Sequence, residues 1–128
     1  MAIKRYFADA DNTITNAFKS DLTTRGTGAN MGAADVLEIF SIYGQASGTT
    51  EQLSSELSRA LIKFPVSDIQ TDRSSSVIPR SGSVSFYLKL FNAKHTSTVP
   101  RDMVIMAHAL TRSWQEGTGL DMEEYTDL

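Results

Sequence analysis

The chain contains no cysteine among its 128 residues, and only two histidines, three prolines and one tryptophan. Without cysteine there is no disulfide framework and no thiolate metal site, so stability has to come from packing. The histidines, His95 and His108, are not at helical ligand spacing, and no cysteine accompanies them, which argues against zinc. A surplus of positive charge is also missing: 12 Lys and Arg stand against 15 Asp and Glu, a net charge of −3. No Lys/Arg run offers a local footprint for a phosphate backbone, so nucleic acid is not expected as a direct ligand. No window approaches the roughly 18 apolar residues that a membrane-spanning helix needs, so no membrane partner is expected. At the start, Lys4 and Arg5 are followed by Asp9 before any apolar stretch of signal-peptide length develops, so export by that route is not expected.

What is present suits one packed domain spanning 1–128: 41% hydrophobic residues, among them six Phe and four Tyr, with 21% charged. The cleanest periodicity lies at 83–91, where Val84, Phe86, Leu88 and Leu90 alternate with more polar neighbours and predict a strand with one buried face. Residues 102–110 place Val104, Met106, His108 and Leu110 on one face and Met103, Ile105, Ala107 and Ala109 on the other. A strand apolar on both sides lies inside a sandwich or under a partner. Further strands are predicted at 60–66, ended by Pro65, at 36–43, at 3–7 and at 12–18. Turn-rich segments at 25–32, 44–55 and 70–82 separate them. Two stretches, 16–23 and 50–61, also read as helical; one short helix at 50–57 is the most the pattern allows. Short strands punctuated in this way predict an all-β fold, an antiparallel β-sandwich of jelly-roll type with long loops.

Candidate chemistry is sparse. The glycines from Gly26 to Gly32 lack a Gly-Lys-Ser/Thr and a strand-then-helix setting, so a long turn outweighs a nucleotide cradle. No Gly-x-Ser-x-Gly elbow is present, and His108, flanked by Met106 and Leu110 on its face, reads as a core or interface histidine rather than a base. No catalytic residue, cofactor site or metal site is therefore assigned. Two acidic groups, Asp9/Asp11/Asn12 and Asp121/Glu123/Glu124/Asp127, carry the oxygen ligands a structural calcium would use; neither spacing matches a known loop, so solvated turns are preferred for both, with a structural calcium as the alternative. Trp114, followed by Gly117 and Gly119, reads as a core-capping aromatic and a turn in preference to a sugar platform.

Five segments together carry a resemblance: Asp11-Asn12-Thr13-Ile14, Ala29-Asn30-Met31-Gly32, Ser58-Arg59-Ala60-Leu61-Ile62-Lys63-Phe64, Val84-Ser85-Phe86-Tyr87-Leu88-Lys89-Leu90 and Ser113-Trp114-Gln115-Glu116-Gly117. Their order resembles the DNRLRE-type domain: an early Asp-x-Thr, an Asn-x-Gly turn, an Arg-x-Leu-x-x-Phe strand, an alternating strand and a Trp-x-Glu-Gly. The resemblance covers nearly the whole chain. It implies a jelly-roll β-sandwich, found both in secreted polysaccharide-binding proteins of bacteria and in structural proteins of marine tailed phages. Ile-Thr-Asn-Ala-Phe, Phe-Tyr-Leu-Lys-Leu-Phe-Asn-Ala and Trp-Gln-Glu-Gly-Thr-Gly-Leu-Asp-Met-Glu resemble the phage branch. The pattern continues past Trp-x-Glu-Gly into a last strand, whereas this sequence stops at Tyr125-Thr126-Asp127-Leu128, leaving that strand to further chain or to a neighbouring subunit.

The expectation is thus a non-enzymatic structural protein of a phage particle, in the capsid, neck or tail or as a decoration, located in the virion and touching copies of itself and other virion proteins. The alternative is an extracellular carbohydrate-binding module that attaches a larger protein to a polysaccharide. The interface or ligand candidates are Trp114, Tyr43, Tyr87, Met103 and Ile105.

Overall fold

The fold is taken from a computed structural model, which describes residues 3–19, 21, 23–26, 30–44, 54–82, 84–94, 96, 102 and 104–120. Among these lie three strands and one helix, in the order β1 (Ala10–Thr15), β2 (Ser41–Gly44), β3 (Ser54–Lys63) and α1 (Val66–Ser74). The sheet is antiparallel in the order β1-β3-β2. β1 pairs with the second half of β3, from Ala10 opposite Lys63 to Thr15 opposite Ser58, and β2 with the first half, from Ser41 opposite Leu57 to Gly44 opposite Ser54. Three strands and a helix are too few to establish a jelly-roll sandwich.

Among the described residues, the buried side chains of this sheet are polar. Thr13 is fully enclosed, and Asn12 and Ser58 are buried, beside only two buried apolar residues among the described ones, Ala17 and Met31. Because successive side chains of a strand point to opposite faces, Thr13 and Thr15 share a face with their partners Ala60 and Ser58. Residues 38–40 cross that face on the way into β2. The Glu38 N–H donates to the Thr13 hydroxyl oxygen (3.0 Å), the Ser58 hydroxyl donates to the Glu38 carbonyl (2.9 Å), and the Phe40 N–H donates back to Ser58 Oγ (2.7 Å). Buried hydroxyls with such partners avoid the penalty of an unmade hydrogen bond.

β1 runs on into a turn. The Asn16 N–H donates to the Leu57 carbonyl, Phe18 bridges Arg25, and the Asp21 carboxylate accepts the N–H groups of Thr23 and Thr24, both at 2.9 Å. Those two amides, Thr24 first, hold the Asp21 carboxyl well below its usual range. Arg25 stacks its guanidinium 3.8 Å from the Phe18 ring centre. The helical alternative over 16–23 thus gives way to a turn, because Asp21 draws the backbone N–H groups that a helix would use.

Other expectations also change. The short helix placed at 50–57 does not form over the part described, since residues 54–57 pair with β2. The helix lies at 66–74 instead, starting after Pro65, with Asp68 in its first turn and Arg73 in its last. The strand expected at 60–66 is the end of a longer one that stops at Lys63; that at 36–43 shortens to 41–44, that at 12–18 shifts to 10–15, and 3–7 forms no strand. Residues 84–91 and 104–110 enter no ladder, and Phe86, Leu88, Leu90, Val104, Met106 and Leu110 are exposed. Period two states which face a segment would bury, not which edge would receive it. Here β3 has a partner on each side, and the outer edge of β1 is engaged at Asp11 by the Glu116 side chain.

Candidate functional site

Three segments far apart in sequence meet beside β1. From the face opposite Thr13, the Asn12 side-chain oxygen accepts the Met31 N–H at 3.0 Å, which anchors the turn 30–34 on the strand. The half-buried Asn30 side chain accepts two N–H groups with a single oxygen: Gly32 at 3.2 Å and Gly119 at 2.9 Å. The Ala33 N–H returns a bond to the Gly119 carbonyl at 2.8 Å. One Glu116 carboxylate oxygen accepts the Asp11 N–H at 2.8 Å, a charge-assisted bond between residues 105 positions apart.

Glycine is required where the segments touch. A β-carbon on Gly32 would overlap the Gly117 backbone, and one on Gly117 would overlap the Asn30 side-chain amide. Neither position needs an unusual backbone angle; the demand is for close approach. The result is a clasp whose acceptors are spent on its own backbone. It fixes the 114–120 segment to the sheet and to the 30–34 turn, and presents no paired nucleophile and base.

A second feature lies where residues 4–7 meet α1. The Tyr6 hydroxyl donates to Asp72 Oδ2 (2.6 Å), which Lys4 Nζ also reaches at 3.1 Å. That carboxylate pushes the Tyr6 hydroxyl up to about 12, while the Tyr6 hydroxyl and then Lys4 hold Asp72 below its ordinary value. An open groove of about 490 Å³ runs between them, lined by Arg5, Phe7, Pro65, Asp68 and Thr71 among others.

The five interface candidates do not converge on either feature. Trp114 is half-buried at the start of the clasp segment, Tyr87 is exposed, and Ile105 is half exposed. Tyr43 sits in β2 opposite Ser55, and Met103 lies outside the described residues. No hydrogen bond or ring contact joins Trp114, Tyr87 and Ile105. Asp9 is exposed, and the Asn12 oxygen that calcium would have used is turned inward to Met31. Asp121, Glu123, Glu124 and Asp127 lie outside the described residues, as does His95, whereas His108 is exposed. Among the described residues no three acidic or histidine groups gather closely enough to hold a metal ion. No described helix is long and apolar enough to cross a membrane.

Sequence reasoning singled out Asn30, Gly32, Glu116 and Gly117 as motif letters, and the structure supplies their physical relation. It missed Tyr6 and Asp72, whose pairing has no local signature. In comparisons with known proteins, no family model, no curated protein and no solved structure matches this chain.

Proposed function

We propose that the chain is a structural subunit of a tailed-phage particle, working through contacts with copies of itself and with other virion proteins. The observation that carries this reading is the clasp. Three of the five segments behind the resemblance to the DNRLRE-type domain, at Asn12, Asn30–Gly32 and Glu116–Gly117, meet in space through side-chain oxygens that accept backbone N–H groups and through a close approach at the two glycines. A second support is the apolar surface on 84–91 and 104–110. Exposed apolar stretches of this extent mark an interaction surface.

The carbohydrate-binding alternative draws on one feature, the groove beside α1 with exposed Phe7 at its rim and Asp68, Arg5 and Thr71 as hydrogen-bonding groups. Mass spectrometry of purified particles tests the preferred reading: the chain should be present in a fixed copy number per particle. Its absence from particles, together with retention on immobilised polysaccharide that Phe7→Ala abolishes, would replace the virion reading with the other.

A further inference from the structure

Charge is divided unevenly along the chain. Residues 84–115 carry Lys89, Lys94, Arg101 and Arg112 against Asp102, a net +3, so that with −3 overall the remainder is −6. The positive part includes the apolar arm 84–94, where Phe86, Tyr87, Leu88, Leu90 and Phe91 are between 48% and 88% exposed. Lys89 lies over the Phe91 ring at 4.7 Å from its centre, so cation and apolar surface form one patch. The negative part includes a stretch of matching character, where exposed Val36 and Ile39 alternate with exposed Asp35 and Glu38. The Glu38 backbone is tied to Thr13 and Ser58, so this stretch is held in place before anything binds to it.

We infer that the arm 84–94 of one copy docks along residues 35–39 of a second copy, Lys89 and Lys94 facing Asp35 and Glu38 across an apolar centre. This rests on the proposed virion role and names one contact within it. Two arguments favour a second copy. The first is apolar matching: the arm's exposed aromatic and leucine side chains form a strip that Val36 and Ile39 of a second copy can cover. The second is complementarity, since each copy carries both the cationic arm and the anionic seat, and opposite patches steer association and fix register. Arm and seat are different surfaces, so the contact is heterologous and generates rings or filaments rather than an isologous pair.

The experiment uses two full-length variants, Lys89→Glu/Lys94→Glu and Asp35→Lys/Glu38→Lys, with light scattering across protein and salt concentration. The native chain should self-associate, more weakly as salt rises. Each variant alone should lose association by about tenfold or more, because its arm and seat then carry the same sign. An equimolar mixture of the two should recover it, since each arm then meets an opposite seat. A native chain that is monomeric at all concentrations, or a mixture no better than its components, overturns the inference. Monomers whose arm amides are protected from exchange would show the arm folding onto its own chain, which also overturns it. All three results leave the presence of the chain in particles, and so the virion reading, independently measurable.

Discussion

Replacing Gly117 with alanine tests the clasp at its tightest point. The new β-carbon would fall on the Asn30 side-chain amide, so either Asn30 or the 116–119 backbone has to move. Moving Asn30 removes the common acceptor of the Gly32 and Gly119 N–H groups. Each of the two net hydrogen bonds is worth about 0.5–1.5 kcal/mol and overpacking adds about 1–3 kcal/mol, so a loss of about 2–6 kcal/mol is expected. In urea, with a slope of about 2 kcal/mol/M for a chain of this size, the midpoint should fall by roughly 1–3 M. Asn30→Ala should also destabilise, but Gly117→Ala added to it should cost much less than on its own, because the overlapping amide is gone. Gly82 provides the control: it has open space around it and a φ of 86°, so its alanine variant should lose only the modest cost of a left-handed backbone. A Gly117→Ala chain whose midpoint moves no more than the error of the measurement, or strict additivity with Asn30→Ala, would refute the clasp.

Two further outcomes follow from the buried polar contacts. Thr13→Val keeps the shape but leaves the Glu38 N–H without its acceptor in an enclosed site; a loss of about 1–3 kcal/mol and faster amide exchange at Glu38 are expected, and an unchanged urea midpoint would count against the assignment. The Tyr6–Asp72 pair predicts a plateau in stability against pH. Tyr6 is raised above its ordinary value of about 10, so its contribution is complete below that pH and lost as pH rises through about 12. Asp72 is lowered, so its contribution is complete above the ordinary carboxylate value of about 3.9 and lost as pH falls through its depressed value. Ultraviolet titration of the native chain against Tyr6→Phe reads this directly, and a Tyr6 ionising at its ordinary pH would exclude the contact.

Turn chemistry was more legible in the sequence than the sheet. Asn30-Met31-Gly32 and Glu116-Gly117 stood out as letters of the resemblance and as turn residues, since Asn and Gly favour turns. The end of β3 was visible as Leu61-Ile62-Lys63-Phe64, but its beginning, Ser54 to Leu57, carries no apolar alternation and is a strand because β2 pairs with it. Helix α1 escaped notice for a related reason: only Val66 and Ile69 are apolar in it, nothing in it is buried, and its ties are the polar contacts of Asp72, Arg73 and Arg80. The segments 84–91 and 104–110 were the reverse case. Their pattern stated a demand for burial but not which edge would meet it, and neither segment enters a ladder. The clasp partners were legible as letters, but their meeting across 89 and 105 positions was not, since no local period encodes it.

That separation has a kinetic consequence. The sheet needs nothing beyond Lys63, so during synthesis it can assemble while the remaining residues are still being added at about 5–20 per second. Asn30 and the Asp11 N–H then wait, hydrated, for partners that emerge seconds later. Closing a loop of this length carries an entropic cost that grows only slowly with its size, but it must be met before any of the clasp bonds return energy. During synthesis the clasp bonds to residues 116–119 are therefore expected to form after the sheet. A chain truncated before Trp114 should keep a sheet whose β1 edge at Asp11 stays open to other strands.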